Sequence, residues 1–170
     1  MAMLLCIPIV VLAIVPVLLL FVIHALVREL FKWLFIFAWS VRWLPQGVDA
    51  LLVYNNSPYW QTYFEQEFLP LFKERCFVLN WSERRRWKTP SWRVIAWHLF
   101  ARQSHHCPSV IWFRRFRLPL RFHFYQPIKD LKHGKEAPVR NLERDLSIAF
   151  DAAVPPLSID HGLLHGPGPP

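Results

Sequence analysis

A chain of 170 residues carrying 20 Lys and Arg against 12 Asp and Glu is long enough for one buried core and too short for several domains. Its three cysteines exclude a disulfide framework, and its five glycines form no Gly-rich phosphate loop. The formal net charge of +8 points to an anionic surface or partner.

The first element is apolar. Between Met3 and Val27 only His24 is titratable besides Cys6, and this run exceeds the roughly 20 apolar residues that cross a bilayer. No basic residue precedes it, the core is too long for a secretory signal, and no small-x-small cleavage pattern follows. Residues 1–27 are therefore expected to be a retained transmembrane anchor. Pro8 and Pro16 inside it are tolerated in lipid. Arg28, Lys32 and Arg42 follow the run, so positive residues on the cytoplasmic side predict the N-terminus outside and the rest of the chain in the cytoplasm.

Residues 28–47 are read as a Trp-rich amphipathic helix lying on the cytoplasmic membrane face. Trp33, Trp39 and Trp43 would sit at headgroup level while Lys32 and Arg42 snorkel. A second short crossing, which would move the domain to the other side, stays open. Pro45, Gln46 and Gly47 end the segment.

Residues 48–150 are expected to form a small basic α/β domain. Ala50–Tyr54 is a continuous apolar run and reads as a buried strand. Ser57 is a suitable N-cap with Pro58 at the first helical position, and Trp60, Phe64, Phe68, Leu71 and Phe72 follow at helical spacing. Pro70 should kink or shorten that helix. Cys76–Trp81 is a second strand. Ser91 caps a short helix marked by Trp92, Ile95, Ala96, Leu99 and Phe100. Ser109–Phe113 is a third strand, residues 114–119 a turn, and Leu120–Tyr125 a fourth strand pairing as a hairpin. Val139, Leu142, Leu146 and Phe150 mark a last helix. Residues 151–170, rich in Pro and Gly at the end, are expected to be disordered.

This order of strand, helix, strand, helix, two strands and helix resembles the thioredoxin fold. Ser57-Pro58-Tyr59-Trp60 stands where glutaredoxins carry Cys-Pro-Tyr-Cys, and Cys107-Pro108-Ser109 stands where that superfamily has its cis-proline. The resemblance implies a βαβαββα domain that is redox-inactive, because Ser57 and Trp60 replace both redox cysteines. Another small doubly wound α/β sheet is the alternative.

Charge is concentrated. Lys73 to Arg121 holds twelve basic residues against Glu74 and Glu83. Tethering at a bilayer makes anionic lipid the expected partner of Arg84, Arg85, Arg86 and Lys88; a protein partner remains open, and nucleic acid is disfavoured. Asn56, Ser57, Asn80, Ser82, Glu83 and Arg84 gather at the carboxyl ends of the first two strands, where open α/β sheets bind ligands. They are the candidate anion or headgroup site, and turn formation alone also explains them. His105-His106-Cys107, with His98 or His123, is a poor zinc set, since adjacent residues seldom all face one ion. No catalytic residue, metal or cofactor is assigned. The expected function is a membrane-anchored, non-enzymatic module binding the anionic membrane surface or a partner. The alternative is a small membrane-associated enzyme acting on a phosphorylated or lipid-linked substrate.

Overall fold

The computed structural model of the chain describes residues 2–58, 61–88, 90–101 and 107–151. Tyr59, Trp60, His105, His106 and the tail from residue 152 lie outside the described residues, and so do the expectations placed on them.

The apolar run and the segment after it are one element. Helix α1 runs from Ala2 to Arg42, about 60 Å at 1.5 Å per residue. It is long and apolar enough to cross a membrane, by length and composition, and its apolar residues from Ile14 to Val27 are exposed. The sequence predicts two separate elements, divided at residue 27, and the structure corrects this. Arg28, Glu29 and Lys32 end an apolar run, but all three are good helix formers and nothing there breaks the backbone. The helix stops only at Trp43, where a short 3-10 turn over Leu44–Gln46 leads to Gly47 at φ 81°, a left-handed position that suits glycine.

Four strands follow: β1 Ala50–Tyr54, β2 Cys76–Asn80, β3 Ser109–Arg114 and β4 Arg117–His123. They lie in the order β2-β1-β3-β4. β1 and β2 are parallel, with Ala50 opposite Cys76. β3 runs antiparallel to β1, and β4 pairs back on β3. The domain is thus a small mixed α/β sheet. The third strand reaches Arg114, and the turn is only Arg115-Phe116. β4 begins at Arg117 rather than at Leu120, because Pro119 sits in an edge strand, where a missing N–H costs no ladder bond.

The helices cover both faces. A π-helical turn, Tyr63–Phe68, runs into α2, Leu69–Phe72. Just before Pro70, which offers no N–H, the Leu69 amide donates to Phe64 five residues back. α3 is Trp92–Phe100, its N-terminus capped by Ser91 Oγ accepting from the Val94 amide at 3.4 Å. Two helices follow β4: α4, Tyr125–Lys132, which the sequence pattern does not mark, and α5, Ala137–Phe150.

β1 is buried along its whole length, and its residues alternate between two cores. Ala50, Leu52 and Tyr54 meet Phe64, Phe68, Phe72, Phe124 and Phe150 on one face. Leu51 and Val53 meet α3 and the last turns of α1 on the other, through Phe35, Ile36 and Trp39. The end of α1 is therefore one layer of the domain. Trp39 is fully buried, stacked on Phe113 at 4.0 Å, with its indole N–H donating to the Val48 carbonyl at 3.3 Å. An indole enclosed in this way does not reach a headgroup layer, which corrects the expectation for Trp39. Trp43 packs half-buried against Trp92 and Phe77; Trp33 is exposed.

Candidate functional site

The carboxyl ends of β1 and β2 bring three of the six expected residues into contact. The Asn56 amide donates to Ser82 Oγ at 3.1 Å, and Asn80 Nδ2 donates to Asn56 Oδ1 at 2.5 Å. Asn80 Oδ1 accepts from the Ser82 amide at 2.9 Å, capping the 3-10 segment Trp81–Arg86. The Trp87 indole N–H closes the turn by donating to the Asn80 carbonyl at 3.1 Å. This is a polar latch between two parallel strands, in which Ser82 Oγ and both asparagine side chains are tied to one another and to the backbone.

The other three turn elsewhere. The Ser57 carbonyl accepts from the Gln61 amide at 2.9 Å. Glu83 faces Arg86 on its own turn at 4.0 Å. Arg84 lies over the Trp81 ring at 5.2 Å. Arg84, Arg85, Arg86 and Lys88 are all exposed, but they follow β2, the edge strand farthest from β4.

Beside the latch, the Tyr54 hydroxyl donates to Glu65 Oε1 at 3.0 Å. Burial, then this bond and the nearby charges of Glu65 and Glu83, push its pKa up to about 12.

The described thiols are closed off. Cys107, preceding Pro108 in a cis peptide bond, is 4% exposed, and burial pushes its pKa up to about 12. Cys76 is raised to about 12 by burial and the Asp49 carboxylate, against the opposing effect of Arg75. A thiol must ionise to attack, so neither is a nucleophile near neutrality. The expected result is that native protein at pH 7.5 leaves Cys76 and Cys107 unmodified by a maleimide, while denaturant exposes both; mass spectrometry of the peptides reads this. Rapid native labelling of Cys107 would contradict its closure. Among the described residues no group of His, Cys, Asp and Glu is placed to hold a metal; His98 is exposed on α3 and His123 half-buried on β4.

Sequence reasoning missed two polar arrangements. Asp49 Oδ2 accepts from Arg75 Nη2 and from the Trp112 indole at 3.3 Å, and Arg75 Nη1 donates to the Phe150 carbonyl at 2.5 Å. This joins the starts of β1 and β2 to the end of α5, where a cation also suits the helix dipole. The second is a groove of about 300 Å³ lined by Glu29 and Lys32 of α1, Phe100 of α3, and Leu118, Pro119 and Arg121 of β4. Lys32 and Glu29 form an ion pair in which the Lys32 side chain is 12% exposed. Arg121 donates to the Phe100 carbonyl at 3.3 Å.

No family model, curated protein or solved structure matches the chain.

Proposed function

We propose that this chain is a membrane-anchored, non-enzymatic module: a redox-inactive domain of thioredoxin-like fold, fixed by α1 to the cytoplasmic membrane surface, where it binds that surface or a partner. One observation carries the reading. α1 is a single helix whose residues from Ile14 to Val27 project as bare apolar surface and whose last turns are buried in the α/β core. A domain joined rigidly to an apolar rod has its position set by the bilayer that receives the rod. The strand order and the antiparallel β3 support the thioredoxin-like part. Ser57 in place of a nucleophilic cysteine, and two described thiols held protonated, support redox inactivity. The latch at Asn56, Asn80 and Ser82, whose side chains bond to one another, gives no specific support to the rival, an enzyme acting on a phosphorylated or lipid-linked substrate.

Reporter fusions test the placement. A reporter after Pro170 is expected to be active only in the cytoplasm, and one before Met1 only outside. The membrane-embedded chain should resist extraction with alkaline carbonate. Release by carbonate would overturn the anchor, and a C-terminus on the outer face would overturn the orientation.

A further inference from the structure

We infer that the groove between α1 and β4 holds the phosphate of one phospholipid from the leaflet through which α1 leaves the membrane, with Lys32 and Arg121 as the phosphate's cations. The inference rests on the anchored reading above and names the surface that meets the lipid.

The course of α1 fixes where that surface lies. Trp43 and Trp39 pack on Phe77 of β2, Trp39 and Phe35 on Phe113 of β3, and Glu29 and Lys32 line a groove with β4. Followed backwards, the helix crosses the sheet diagonally from β2 to the β4 edge and then leaves the domain. The apolar run ends at Val27. Lys32, five residues on, lies about 7.5 Å further along the axis. The headgroup layer is about 5–8 Å deep on each side of the hydrocarbon. Lys32 and the groove therefore sit at headgroup depth when the apolar run fills the bilayer. Phe37, ten residues beyond Val27 and about 15 Å along, lies past that layer.

The chemistry of the groove fits one phosphodiester. Lys32 and Arg121 less Glu29 leave a surplus of one positive charge, matching the single negative charge of the phosphate. Lys32 is held largely out of water, where a charge interaction is less screened than at an open surface. Arg121 is exposed and offers five N–H donors in a planar fork, of which the Phe100 carbonyl takes one. The rim is apolar: Leu118 is half exposed, and the bare face of α1 continues towards the hydrocarbon as a bed for acyl chains. The block at Arg84–Lys88 follows β2, three strand spacings or about 14 Å across the sheet, more than the Debye length of about 8 Å at physiological salt. Its charges are placed to add little to this site.

The full chain, extracted in an uncharged detergent that carries no phosphate and then delipidated, is titrated with phosphatidylglycerol and observed by native mass spectrometry. One retained lipid per chain is expected. The double variant Lys32→Gln/Arg121→Gln is expected to lose at least tenfold in apparent affinity. Arg121→Gln alone, at an exposed position that spares the half-buried Lys32, is expected to lose at least threefold. The fourfold variant Arg84→Gln/Arg85→Gln/Arg86→Gln/Lys88→Gln should bind as the parent does. Retention by Arg121→Gln equal to the parent, or a larger loss in the fourfold variant, overturns the assignment. Competition by inorganic phosphate at the same concentration overturns the lipid as source. Carbonate extraction of the same samples separates the two readings: if the parent chain resists extraction and the groove variants still bind, only the groove fails, whereas release of the parent removes the anchored reading itself.

Discussion

Trp39→Ala is expected to cost the domain about 3–5 kcal/mol, the range for truncating a large buried aromatic side chain. Trp39 is 0% exposed. It stacks on Phe113 and meets Phe35, Trp43 and Phe77, so the alanine would leave a cavity at the point where α1 joins the sheet. Its indole N–H would also vanish from the Val48 carbonyl. Against a total stability of about 5–15 kcal/mol, that loss is large. It should fall on the domain alone, since the apolar run before residue 28 makes no use of Trp39. The variant should still enter membranes, yet its α/β domain should be cleaved by protease far faster. Trp33→Ala is the control: Trp33 is 49% exposed, and its loss should change domain stability by under about 1 kcal/mol. Denaturant midpoints and proteolysis rates of the two variants side by side decide the matter. Equal effects would mean that α1 is only a tether.

The same residue shows where sequence reasoning stopped. Phe35, Ile36, Trp39, Ser40 and Trp43 follow a helical stripe, the spacing of a core face. Beside an apolar anchor, Trp-rich sequence suggests an interface instead, and both readings explain indoles equally well. What decides is Phe113 more than seventy residues away, a tertiary contact no local pattern encodes. β1 was legible because a strand buried on both faces writes itself as an unbroken apolar run, and α3 because Ser91 announces its start. α4 was not, because its core contacts reduce to Ile128 and the partly buried Leu131 amid charged residues, with Pro127 in the first turn. The start of β4 is hidden because Pro119 signals a turn unless the strand is known to be an edge.

The candidate site was half legible for the same reason. That Asn56, Asn80 and Ser82 would meet followed from two adjacent parallel strands, whose carboxyl ends share one edge. That they would satisfy each other was a matter of side-chain geometry. The groove was invisible: Glu29 and Lys32 are some ninety residues from Arg121, and only the diagonal course of α1 brings them together.

Alkali should destabilise the domain sharply, beginning near pH 9. Cys76 and Cys107 ionise near 9.0 in the unfolded chain and are raised to about 12 when folded. Burial is the first cause for both, with the Asp49 carboxylate adding to it at Cys76. A group whose folded pKa is raised contributes its full stabilisation below the unfolded value and loses it as pH climbs towards the folded one. Below pH 9 both thiols are protonated in either state, and stability should not respond to them. Between pH 9 and 12 the unfolded chain releases protons that the folded chain retains, so each thiol removes up to about 1.4 kcal/mol per pH unit. By pH 11 the two together should cost on the order of 5 kcal/mol, a loss comparable to Trp39→Ala. Lysine deprotonation falls in the same window, so the decisive comparison is with Cys76→Ala/Cys107→Ala. That variant should start less stable at pH 8 because of its lost packing, but its stability should decline much less between pH 9 and 11. Denaturant midpoints taken at each pH measure both slopes. Parallel declines in the two proteins would mean that the thiols are already in reach of water in the native state, contrary to their burial against Asp49 and Pro108.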